Sequence, residues 1–292
     1  MPVMTDVSHR YALATSHGWV AVAESGRGKL PLLLIHGNST SGEVFKHQMT
    51  GPLALDHHLI AIDLPGHGRS GNAQDPARSY TLPGLADALL EVLEMIGIYE
   101  LAIFGWSLGG HIALQMAPQL DGLRGLMITG TPPVSATNIM QGFKPTPHMK
   151  LASREHLSPM EIASFGNAII GTGFTPALYE AISRTDGLMR KTLFETAHAN
   201  TDVDQRQVAE NLSVPLAMVN GAADPVVNLD YIEGLHYANL WQGCCQLLPG
   251  LGHAPFWQGP DIFNPILERF LNDISSMPAK PDPVCTAPGR MA

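Results

Sequence analysis

The residue with the clearest chemical potential is Ser107, in Phe104-Gly105-Trp106-Ser107-Leu108-Gly109-Gly110. This G-x-S-x-G pattern lies between the apolar run Leu101-Ala102-Ile103-Phe104 and the helical pattern His111-Ile112-Ala113-Leu114-Gln115-Met116. A serine on a sharp strand-to-helix turn is held in a strained conformation with its oxygen exposed, the arrangement a nucleophile needs. Gly105 and Gly109 suit such a turn, because side chains there would collide where strand and helix cross. The turn also sets the Leu108 amide at a helix N-terminus, where free N–H groups favour a developing negative charge.

A serine hydroxyl near pH 7 needs a base to take its proton, and the base needs a carboxylate to orient it. Asp224 follows the apolar run Leu216-Ala217-Met218-Val219, and His253 follows Gln246-Leu247-Leu248. Both fall where the carboxyl ends of parallel strands would bring them beside Ser107. Asp230 is the rival acid on position. His111 is the rival base, but its place on the helix after the serine suits a structural hydrogen bond better. A second amide for an oxyanion is expected from the loop His36-Gly37-Asn38-Ser39, with Asn38 as donor beside Leu108. The bland reading of Asn38 or Ser39 is a cap for a helix starting near Gly42.

Other motifs carry less. Gly66-His67-Gly68-Arg69-Ser70-Gly71 matches G-x-G-x-x-G, yet Asn72-Ala73-Gln74-Asp75-Pro76 follows in place of a helix that could face a pyrophosphate. There is no H-E-x-x-H and no pair of cysteine motifs, and His57-His58 has no third ligand nearby in sequence. Neither a metal nor a cofactor is expected.

The elements that must position these residues alternate. Leu32-Leu33-Leu34-Ile35, His58-Leu59-Ile60-Ala61-Ile62 and Leu126-Met127-Ile128-Thr129 read, like the runs before Ser107 and Asp224, as strands buried on both faces. Leu85, Leu89, Val92, Leu93 and Ile96 recur at helical spacing, as do Ile262, Phe263, Ile266, Leu267, Phe270 and Leu271. An α/β fold follows, with a mostly parallel sheet wrapped on both sides, preceded by a hairpin around Ser16-His17-Gly18. From about 134 to 210 only helical pieces rich in Met and Phe are expected. Ser158-Pro159-Met160-Glu161 has the spacing of a capping box, and Thr175-Pro176 suits a further helix start. The expected organisation is a core of 1–133 and 211–276, a helical cap of 134–210, and an unfolded tail of 277–292.

The chain has 292 residues, 45% of them hydrophobic and 15% charged, the composition of a globular protein with a sizeable core. A net charge of −9 with dispersed Lys and Arg argues against nucleic acid and anionic membrane surfaces as partners. No run is long and apolar enough to span a bilayer. Three cysteines make no disulfide framework, so a cytoplasmic setting is expected.

Together these segments resemble the α/β-hydrolase superfamily over about residues 11–275, in which the order serine, acid, histidine recurs. The resemblance narrows to the N-acyl-homoserine lactonases of this fold. It rests on His36-Gly37-Asn38-Ser39, the elbow through His111, and Leu126-Met127-Ile128-Thr129-Gly130-Thr131-Pro132-Pro133. Gln141-Gly142-Phe143-Lys144, Arg184-Thr185-Asp186-Gly187, Val219-Asn220-Gly221 and Gly252-His253-Ala254-Pro255-Phe256 add to it. It implies a lactone ring opened by Ser107 and a small-molecule substrate with an apolar acyl chain. Trp106, Met140, Phe143 and Phe165 are the side chains expected near that chain. The alternatives keep the same triad, as in a general carboxylesterase or a carbon–carbon bond hydrolase, or use the pocket as a ligand sensor with slow or no turnover.

Overall fold

The computed structural model describes residues 9–28, 30–197 and 203–278. Eight strands form one sheet: β1 (His9–Thr15), β2 (Gly18–Ser25), β3 (Pro31–Ile35), β4 (His58–Ile62), β5 (Leu101–Trp106), β6 (Leu123–Thr129), β7 (Leu216–Gly221) and β8 (Gln246–Leu248). The spatial order is β1-β2-β4-β3-β5-β6-β7-β8. The β1–β2 hairpin joins β4 antiparallel, and all pairings from β4 to β8 are parallel.

Alternation along the strands divides the core. Leu33, Ile35, Ile60, Ile62, Ile103 and Ile128 pack on one face, under helices Leu82–Met95 and Leu108–Met116. Leu32, Leu34, Phe104 and Trp106 pack on the other with Phe256, Phe263 and Phe270, the last two from helix Pro260–Ser275. Fully burying an aliphatic or aromatic side chain of this size stabilises by about 1.5–3 kcal/mol, so both layers are needed to hold the sheet flat against them.

The chain runs from β3 to β4 on one side, then returns to place β5 on the other side of β3. The order therefore reverses between β3 and β5, the kind of switch point beyond whose strand ends open α/β sheets bind ligands. Ile35 lies opposite Gly105 there, which sets the His36 loop beside the Ser107 turn.

Between β6 and β7 the described residues form helices and connections without a strand. The longer helices are Pro159–Ile169, Pro176–Arg184, Gly187–Thr196 and Gln205–Asn211. Both expected starts are present. Ser158 and Glu161 form a complete capping box, and the Thr175 side chain accepts from the Leu178 amide. The helical turn at Gly42–Phe45 is capped by Ser41 rather than by Asn38 or Ser39, which leaves both of those side chains for other partners. No described helix is long and apolar enough to cross a membrane. Of the expected unfolded tail, all but its first two residues lie outside the described residues.

Candidate active site

Ser107 has φ 54° and ψ −118°, a left-handed conformation that costs a residue with a side chain on the order of 1–3 kcal/mol. Its surroundings hold it there. The Ser107 amide donates to Thr129 O at 2.9 Å, and the Thr131 hydroxyl donates to Ser107 O at 2.7 Å. The helix can start this close to the sheet only with glycine at 109, where a Cβ would meet Ile35 O at 2.0 Å. Leu108 is the first helical residue, so no intrahelical carbonyl lies within reach of its amide.

The His253 imidazole is buried and pairs with Asp224 through Nδ1 and Oδ2 at 2.8 Å. A carboxylate can only accept, so Nδ1 carries the proton and Nε2 keeps its lone pair free. The other carboxylate oxygen accepts from the amides of Val226 at 2.7 Å and Val227 at 3.0 Å. Burial alone would raise the Asp224 pKa. The imidazole and the two amides outweigh it and hold the carboxyl below its ordinary value. The rival Asp230 is exposed on helix Leu229–Glu233. His111 pairs through Nδ1 with Gln205 Oε1 at 2.7 Å, a structural bond to the last helix before β7.

Trp106 and the Thr129-Gly130-Thr131 stretch bring Ser107 and His253 together. The buried Trp106 indole donates to His253 O at 2.8 Å, and the two rings lie 5.6 Å apart. Thr131 holds Ser107, while Gly130, at φ 65°, faces the imidazole so closely that a Cβ would come within 2.8 Å of His253 Cε1. Among the described residues no hydrogen bond joins the Ser107 hydroxyl to the imidazole; such contacts commonly tighten only when substrate is bound.

The His36 loop lies against the serine, since a Cβ at Gly37 would meet Ser107 Cβ at 3.2 Å. Gly37 O is pinned by the Thr40 hydroxyl at 2.8 Å and by His36 Nδ1 at 2.8 Å. In a planar trans peptide the Asn38 N–H then points the opposite way from that oxygen. The Asn38 side chain is engaged elsewhere, donating to Ala152 O at 3.0 Å, so its amide and side chain have separate tasks.

Three loops are thus tied to the helical segment 134–210. Asn38 bonds Ala152, the Lys144 ammonium donates to Asp224 O at 2.7 Å, and Gln258, just after the His253 loop, donates to Ile170 O at 2.7 Å. Nothing in the sequence announces the partners of Lys144 and Gln258, because these are distant main-chain carbonyls. Of the expected acyl-chain neighbours, Phe165 is buried and Phe143 packs on His111 with ring centres 6.0 Å apart. Met140 is 80% exposed, facing solvent. No group of three His, Cys, Asp or Glu among the described residues is arranged to hold a metal ion.

Known proteins share this fold. The alpha/beta hydrolase family profile matches residues 32–266. The chain belongs to that family. Among solved structures, this alpha/beta hydrolase is similar to the N-acyl homoserine lactonase AidH complexed with N-butanoyl homoserine, at 42% identity and a TM-score of 0.91. That match covers 93% of this chain and 99% of the other. A curated relative, the pimeloyl-[acyl-carrier protein] methyl ester esterase of Pectobacterium carotovorum, is 28% identical over 82% of this chain and 92% of its own. The esterase RhEst1 from Rhodococcus sp. ECU1013 shares the fold at 24% identity and a TM-score of 0.75, over 92% of this chain and 99% of its own. A hydrolase with lactonase and esterase neighbours is the coarse functional result.

Proposed function

We propose that this hydrolase opens the lactone ring of N-acyl-homoserine lactones through a Ser107–His253–Asp224 triad, without a metal. The observation that carries the reading is the Asp224–His253 pair, on a loop whose His253 carbonyl accepts from Trp106, the residue before Ser107. The 42% identity to a lactonase across nearly the whole chain supports the choice of substrate.

In this reading Ser107 Oγ adds to the lactone carbonyl carbon as its proton passes to His253 Nε2. The oxyanion is received by the amides of Leu108 and Asn38. Collapse breaks the ring carbon–oxygen bond, and the imidazolium returns its proton to the departing homoserine oxygen. A water deprotonated by His253 then cleaves the serine ester and yields the acyl-homoserine carboxylic acid. Asp224 stays ionised throughout and stabilises the imidazolium. Phe143, packed on His111, and the buried Phe165 suit an apolar acyl chain better than the exposed Met140.

Acid release from acyl-homoserine lactones of graded chain length tests this. Turnover that resists chelator and is lost in Ser107→Ala supports it. Fast turnover of simple methyl or aryl esters with weak turnover of lactones would favour the carboxylesterase reading, which the similarity to a methyl ester esterase supports. Binding without turnover would favour a ligand sensor.

A further inference from the structure

Arg190, on helix Gly187–Thr196, is a buried cation that makes no ion pair among the described residues. Its Nε donates to Arg154 O at 2.7 Å and its Nη2 to Glu155 O at 3.1 Å. The remaining arm, Nη1, reaches Ser39 Oγ at 3.3 Å. Two of its donors tie the helix to the carbonyls of Arg154 and Glu155, and the charge of Asp186 favours the buried guanidinium; the third donor reaches past this anchoring to Ser39.

Ser39 is where that arm acts. It has φ 61°, which disfavours any residue with a Cβ by about 1–2 kcal/mol. Three hydrogen bonds hold it in this conformation. Its amide donates to His67 Nε2 at 3.2 Å, its hydroxyl donates to Asn38 Oδ1 at 2.8 Å, and the same hydroxyl accepts from Arg190. The planar fork fixes the direction of this last bond, because its other two donors are anchored on carbonyls. Ser39 immediately follows Asn38, and its hydroxyl holds the Asn38 side chain, which in turn donates to Ala152 O, so the Arg190 bond is the outer link of a chain that anchors residue 38 beside the Ser107 turn.

We propose that Arg190 is a positioning residue for the Asn38 oxyanion donor, acting through the left-handed Ser39. The proposal rests on the serine-hydrolase reading above. Losing the arm releases the Ser39 hydroxyl and with it the Asn38 side chain, so residue 38 loses an anchor and its N–H shifts off the oxyanion. A misplacement near 1 Å costs on the order of 100-fold in rate, and loss of one oxyanion donor about 10²–10³-fold.

The test compares wild type, Arg190→Met, Arg190→Lys, Ser39→Gly and the Ser39→Gly/Arg190→Met double variant. The readouts are kcat and KM for acid release from a long-chain acyl-homoserine lactone, and the rate at which an alkyl fluorophosphonate labels Ser107, measured by mass. Arg190→Met is expected to lower kcat and labelling about 10–100-fold with KM nearly unchanged, and Arg190→Lys by less. Glycine adopts the positive φ unaided and removes the hydroxyl. In the Ser39→Gly background, Arg190→Met is therefore expected to change the rate less than about threefold. An equal fold-loss in both backgrounds, a raised KM at constant kcat, or an unchanged labelling rate would overturn the proposal. If Arg190→Met does not fold, Arg190→Lys in the two backgrounds makes the same comparison. If wild type is not labelled at Ser107, the serine-hydrolase reading fails and this one with it; if wild type is labelled and the variants keep its rate, this one fails alone.

Discussion

The indole N–H of Trp106 meets the main-chain carbonyl of His253 at 2.8 Å, so the residue before Ser107 holds the loop that carries the imidazole. Trp106 is wholly buried, packed edge-on against Phe256 at 5.3 Å. A rigid aromatic side chain of β5 therefore ties the Ser107 turn to the His253 loop. Trp106→Phe keeps most of the packing and removes the donor. It should cost about 1–3 kcal/mol, because a buried carbonyl is left unpaired, and should lower kcat about tenfold. Thermal melting and steady-state kinetics check this; wild-type values in both would show that the bond places nothing.

The Asp224 carboxylate fixes the imidazole tautomer. Asp224→Asn presents an amide that can turn its N–H toward Nδ1 and strand the proton on Nε2, where it blocks the base. Loss of about 10⁴-fold in kcat is expected, with the fold retained. Acid release together with circular dichroism measures it, and a loss below tenfold would remove Asp224 from the triad.

The elbow tolerates no side chain at position 109. A Cβ there would come within 2.0 Å of the Ile35 carbonyl and 2.8 Å of the His36 carbonyl, and both are backbone atoms that cannot move singly. Gly109→Ala should destabilise by more than about 3 kcal/mol, or leave the protein insoluble. A melting temperature within a few degrees of wild type would contradict the close packing of strand and helix.

The pH response follows from buried neutral histidines. His67 accepts from the Ser39 amide through Nε2 and donates to Pro65 O through Nδ1. Burial first, then the neighbouring His36, push its pKa well below the ordinary 6.5. The unfolded chain takes up this proton near its ordinary pKa and the folded chain does not. Its contribution is therefore complete above pH 6.5 and is lost as pH falls from there toward the folded value. Stability should decline below that pH by up to about 1.4 kcal/mol per pH unit for this group. Melting temperature against pH for wild type and His67→Gln tests it, and equal slopes in the two would assign the acid sensitivity elsewhere.

Much of this site was legible along the chain because its parts are local. Continuous apolar runs mark strands buried on both faces, and the sharp turns after them carry Ser107, Asp224 and His253. The β1–β2 hairpin and the Ser158 capping box are short-range patterns for the same reason. Residue type does not choose the cap of the turn at Gly42, since Asn38, Ser39 and Ser41 offer the same oxygen chemistry. Only the backbone angles choose Ser41.

The amino-acid sequence alone determined which residue types stand at the carboxyl ends of which strands, and hence the chemistry on offer. Local periodicity and turn preferences act over a few residues and need nothing from the rest of the molecule. The tertiary structure decided which main-chain oxygens and amides those side chains meet. Trp106 finds His253, Lys144 finds Asp224, and Gln258 finds Ile170. Backbone groups are chemically alike at every position, so no residue type announces these partners. Only the folded sheet brings each donor within reach of a single acceptor.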